Sequence, residues 1–227
     1  MRTVNLAAAV ASRDLVWQAA VIAWILSVPL YFVTKFVLVL AHEGGHAFVG
    51  LALLNRIKRI TFNRAGGGGT EFVEPVGWPF AILVGFAGYA GPSLFGLMAA
   101  GLLRRGQPAM VLWGSMVFLL LMLIVVRGWV GWVVVPALLV GLYQVVTKAE
   151  GERLTLFAYV WTWFLLIAAV QRMLVYIDAA TFRDKESDTA KLQKMTFLPS
   201  VVWTFAHLLG TSAALVWGGS MLLRQPT

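Results

Sequence analysis

Residues 39–50 read "VLAHEGGHAFVG". Two histidines, a glutamate and two glycines interrupt a run that is otherwise apolar. Ionisable groups are costly in a hydrocarbon setting, so within a membrane segment they point to function by default. On a helix, His42 and His46 stand four positions apart and lie one above the other, so both rings can reach one ion. Glu43, beside the first histidine, can hold a water and take its proton. An H-E-x-x-H pattern arises by chance in roughly one chain in a thousand of this composition. Three polar residues merely satisfied by neighbouring helices would leave their clustering unexplained. Gly44 and Gly45 each cost about 1 kcal/mol against alanine in a helix interior. They fit a place where a neighbouring helix or a substrate backbone comes close. Neutral imidazole suits zinc with one open position, and the ion lowers the pKa of its water toward neutrality for attack on a carbonyl.

The chain around this stretch has 227 residues, 60% hydrophobic and 12% charged, with a mean hydropathy of +0.82. Several runs exceed the roughly 18 apolar residues that mark a membrane span. The expected fold is an all-α polytopic membrane protein, a single integral-membrane domain over residues 1–227. Expected spans are 15–33, 36–54, 78–103, 109–126, 129–146, 154–177 and 199–223. Pro29 and Lys35 lie where the chain can turn, and a single kinked helix over the first two would reduce seven spans to six. The net charge of +8 is read as basic loops facing anionic headgroups rather than as nucleic-acid binding, since no loop has room for a recognition module. Without cysteine, disulfides and thiolate metal sites are excluded. With seven spans and the N-terminus inside, 12 Lys/Arg fall on the cytoplasmic side and 6, Lys35 among them, on the other, as the positive-inside rule requires.

Two segments between spans are long and polar, 55–77 and 178–197. The first, "NRIKRITFNRAGGGGTEFVEPVG", reads as a short Gly-rich β-hairpin or re-entrant segment after the second span. One reading is a plain hairpin on the headgroups. The other is an exposed strand edge near the metal that holds substrate extended, with Gly67, Gly68, Gly69 and Thr70 as the binding segment. Glu71 and Glu74 are read as surface charges.

The motif in a span, "GGGGTEF", "GYAGPSLFG" and "SDTAKLQKMTFLP" together resemble the site-2-protease family of intramembrane zinc metalloproteases, in its small branch without a PDZ domain. The resemblance covers nearly the whole chain. It implies a zinc-bound water, Glu43 as general base, and an aspartate as third ligand with His42 and His46. Asp188 occupies the matching Ser-Asp position, although Ser187 or Asp188 could instead cap a helix over "TAKLQKMTF". Asp178 and Asp184 are weaker candidates in a more charged stretch. His207 lies at a depth similar to His46, about 12 to 14 Å below the cytoplasmic edge, and stands as an alternative ligand or a carbonyl-bonded core histidine. At "VVRGWVG" the family pattern calls for Arg then Asn. Gly128 replaces the Asn, which removes an amide from the oxyanion site and leaves Arg127.

The expected activity is hydrolysis of peptide bonds in membrane-embedded or membrane-associated proteins, with Zn2+ as cofactor and the lipid bilayer as surroundings. The expected location is a bacterial cell membrane, with the site opening to the cytoplasm. The alternative is a catalytically inactive scaffold that retains a zinc site. A zinc transporter fits less well, for want of a second metal site along the spans. Substrate identity and oligomeric state are not encoded in any motif.

Overall fold

The computed structural model describes residues 11–178 and 186–224. Eight helices and a three-stranded sheet make up these residues. Ser12 caps α1 (Arg13–Ser27) by accepting a hydrogen bond from the Leu15 amide at 3.2 Å. After a break at Val28–Leu30, beside Pro29, α2 (Tyr31–Ala52) sets off at 98° to α1. The first two expected spans are therefore not two full crossings, and taken together as one sharply bent span they make six. At 15 residues, α1 is about 22 Å long and falls short of a bilayer core of about 30 Å. It packs instead against α6, burying Leu15, Val16, Ala19 and Ala23.

Five helices are long and apolar enough to cross a membrane, and the bent pair counts as a sixth span if taken as one. They are α3 (Phe80–Arg104), α4 (Pro108–Val125), α5 (Trp129–Lys148), α6 (Glu152–Asp178) and α8 (Ser200–Leu223); α7 (Asp188–Thr196) is a short helix between the last two. Phe32, Leu121, Ile124, Leu209 and Val216 are exposed on the bundle exterior, the pattern of an integral membrane protein whose outer faces meet lipid tails rather than water.

The inner helices touch through glycine. An added Cβ on Gly45 would overlap the Ala87 carbonyl of α3, and one on Gly44 would overlap the Phe118 ring of α4. The two glycines of the motif thus admit two different neighbours, one on each side of α2. Gly91 meets the Ala41 carbonyl in the same seam, while Gly96 faces Leu166 of α6.

The Gly-rich segment is a hairpin of β1 (Ile57–Phe62) and β2 (Gly68–Phe72), antiparallel with Ile60 opposite Thr70. A two-residue strand at the α4–α5 junction, β3 (Val126–Arg127), pairs parallel with β1 and gives the order β2-β1-β3. Two residues carry no periodicity, so β3 was invisible in the sequence. The hairpin runs back along α2: Phe72 lies against Gly50, Gly68 against Glu43, and Gly66 against Lys35. Lys35 Nζ donates to the Ala65 carbonyl at 3.0 Å, and Arg64 stacks over Trp129 at 4.7 Å. This corrects the charge sorting. Lys35 and the hairpin tip cannot lie on opposite membrane faces when they share a hydrogen bond, because the hairpin runs back along α2.

Candidate metal centre

α2 buries His42, Glu43 and His46 against α3, with exposures of 4%, 2% and 7%. His46 Nδ1 lies 2.6 Å from the Val84 carbonyl. A carbonyl only accepts, so Nδ1 carries the proton and Nε2 of a neutral ring is left with its lone pair facing inward. A side chain at position 88 would overlap His46 Nε2 and His42 Cε1, so Gly88 is the opening in α3 that holds both rings. Tyr89 meets the His42 ring edge-on at 4.7 Å.

The third group comes from α7. Ser187 takes the cap, accepting from the Ala190 amide at 3.3 Å, and Asp188 becomes the first residue of the helix, free to point elsewhere. Its Oδ2 lies 2.9 Å from His42 Nε2 and 3.1 Å from His46 Nε2. Cap and candidate ligand are thus adjacent residues, Ser187 and Asp188. Burial alone would raise the Asp188 carboxyl, but the facing His46 and His42 hold it well below the usual carboxylate range. His42, His46 and Asp188 form a group able to hold a metal ion, with ligand atoms all within 4.8 Å of one another.

The donor chemistry fits zinc. With Nδ1 of His46 committed to Val84, its Nε2 and a carboxylate oxygen face each other across the space that an ion held by both would share. Two imidazole nitrogens and one carboxylate oxygen suit zinc with an open fourth position. The buried His42 Nδ1 has no hydrogen-bond partner among the described residues, so this ring is oriented by packing and not by an outer carbonyl.

Glu43 is fixed by the hairpin. Thr70 Oγ1 donates to Glu43 Oε2 at 2.8 Å, with the Glu43 carbonyl a second acceptor at 3.2 Å. A side chain at position 68 would collide with the Glu43 carboxylate. A cavity of about 770 Å³ joins these parts, lined by the three donors, Glu43, Gly66 to Thr70, Tyr89, Arg172 and the inner face of α7. All four residues expected in the binding segment, Gly67, Gly68, Gly69 and Thr70, border it.

The outer strand also has a free edge. Asn63 donates to the Gly67 carbonyl and Val73 to the Arg56 carbonyl. Alternation along an antiparallel pair then turns the amide and carbonyl of Gly68 and Thr70 away from β1.

Other candidates fall outside the centre. His207 is 1% exposed, with Nδ1 2.7 Å from the Trp203 carbonyl, Nε2 3.1 Å from the Phe86 carbonyl, and its ring stacked on Phe86. It is a core histidine that joins α8 to α3. Arg127 donates to the Ile124 and Val126 carbonyls and does not line the cavity. Glu71 is tied to Arg59 at 2.6 Å on the surface, and Glu74 is exposed. Asp184 and the Asp178 side chain lie outside the described residues. Arg172 was missed, because an arginine near the end of a span reads as an interfacial cation.

A membrane-integral helix bundle with a buried His–His–Asp group beside a glutamate on an H-E-x-x-H helix defines a metallopeptidase-like class. The family model described as Peptidase M50B-like matches residues 15–218, and the chain belongs to that family, in agreement with the site-2-protease resemblance. Comparison with curated proteins and with solved structures found no match.

Proposed function

We propose that the protein is an intramembrane zinc metalloendopeptidase, in which His42, His46 and Asp188 hold the ion and Glu43 is the general base and acid. The observation that carries this reading is the Thr70–Glu43 hydrogen bond. It holds a carboxylate in the cavity of the three donors and ties it to the strand that would hold substrate. Zinc bound there would polarise the scissile carbonyl and lower the pKa of a water.

The chain's own groups do the rest. Glu43 accepts a proton from the attacking water and passes it to the leaving amine. A substrate segment unwinds and adds to the free edge of β2, bonding the outward amide and carbonyl groups of Gly68 and Thr70. The absence of side chains at Gly67, Gly68 and Gly69 lets that backbone approach Glu43. Helical peptide bonds are shielded, so holding the substrate extended is a condition of cleavage. The substrate is a membrane-embedded or membrane-associated protein. The site opens to the cytoplasm of a bacterial cell membrane, a reading supported by Arg56, Lys58 and Arg59 just after α2 and by Lys191 and Lys194 on the cavity lining.

The test is zinc content and cleavage together, in detergent-purified wild type and Glu43→Gln. About one zinc per chain in both, with cleavage only in wild type, is the expected result. Zinc in both without cleavage in either would favour an inactive scaffold with a retained zinc site.

A further inference from the structure

Arg172 lies about 9 Å inside the C-terminal end of α6, and its charge is not spent on lipid headgroups. Its Nε is buried with no hydrogen-bond partner, and its side chain lines the metal cavity. The guanidinium carbon sits 5.8 Å over the Tyr89 ring, and that ring touches His42 on another edge. Tyr89 therefore borders the cation within the cavity. Guanidinium is built for bidentate carboxylate, yet no carboxylate pairs with Arg172 among the described residues. Of the carboxylates on the cavity, Glu43 is engaged by Thr70, Asp188 by the two histidines and by Lys191 at 3.6 Å, and Glu186 is engaged elsewhere. A guanidinium in a membrane span with a ring contact but no carboxylate partner is expensive and calls for an anionic ligand.

We propose that Arg172 is an anion-binding subsite of the cavity, taking the side-chain carboxylate of an Asp or Glu in the substrate segment that lies along β2. It gives the site a preference for an acidic residue near the scissile bond. Lys194 of α7, which also lines the cavity, adds to the positive field. This rests on the peptidase reading above, and its test is chosen to be read without turnover.

Labelled apolar helical peptides, identical except for a single Glu or Gln moved through the sequence, are bound to full-length Glu43→Gln protein in detergent, and anisotropy gives each Kd. The expected result is one position at which Glu binds about tenfold or more tighter than Gln. That ratio falls toward one when Arg172→Gln is added. With Arg172→Glu, a Lys peptide becomes the better ligand. No preference at any position in the Glu43→Gln protein overturns the subsite without recourse to a further variant. So does a preference that survives Arg172→Gln, or cleavage that Arg172→Gln lowers equally for Glu and Gln peptides, which would place Arg172 on the oxyanion. Cleavage by the wild type is measured separately: a binding preference without cleavage keeps the subsite and removes the peptidase reading, and cleavage without a preference does the reverse.

Discussion

Thr70, on the outer strand of the sheet, and Glu43, on the motif helix, are joined by a 2.8 Å hydrogen bond that makes the hairpin part of the metal site. A hydrogen bond to a charged group is worth about 1.5–3 kcal/mol. Thr70→Val keeps the shape and removes the donor. Cleavage should fall about 10- to 100-fold, with zinc content unchanged. Equal activity in Thr70→Val and wild type would show that Glu43 is held by something else.

Gly88 is the position where α3 makes room for the two histidine rings. Gly88→Ala should displace His46 and weaken zinc binding about 10- to 100-fold, the scale seen when the support of a metal ligand is lost. Gly101→Ala is the control, since an added methyl there meets nothing within 4 Å. Zinc titration of the two purified variants, with circular dichroism to confirm equal helicity, decides the matter.

Ser187 and Asp188 are adjacent but do different work. Ser187→Ala should cost about 1 kcal/mol through loss of the cap and lower the melting temperature while zinc stays. Asp188→Ala should lose the zinc. Chelator treatment should lower the melting temperature of wild type and leave Asp188→Ala unmoved. Zinc retained in Asp188→Ala would remove this carboxylate from the ligand set.

His207→Ala opens a cavity between α8 and α3 and should destabilise the protein by about 2–4 kcal/mol. Zinc per chain should remain as in wild type, because neither ring nitrogen faces the donor group. Metal analysis alongside thermal unfolding separates this from a ligand role.

The hairpin tip is latched by Lys35 and by the left-handed turn at Gly66, whose φ is +88°. Gly66→Ala should cost about 1–2 kcal/mol in backbone strain, and Lys35→Met removes the donor to the Ala65 carbonyl. Both variants should exchange the β2 amides faster than wild type and cleave more slowly, with zinc retained. Unaltered exchange in Lys35→Met would mean that the tip is held by the Arg64–Trp129 stack alone.

The H-E-x-x-H spacing placed His42, Glu43 and His46 together in advance, because i and i+4 on a helix share a face whatever surrounds them. Hydropathy set the bundle class and five of the spans to within a few residues, since a bilayer imposes length and apolarity on each helix separately. A Gly-rich hairpin beside the site was also legible, though its depth was not. Three features waited on the tertiary structure. The 98° bend between α1 and α2 depends on α1 finding α6, a contact that local sequence does not specify. The division between Ser187 as cap and Asp188 as candidate third donor depends on where α7 docks, as both residues serve equally well as caps in isolation. The placing of Arg172 inside the cavity, and of Lys35 at the hairpin tip, depends on which side of each helix faces inward. For single cations in long apolar segments, sequence records the cost of the charge, and only the packed neighbours decide how that cost is met.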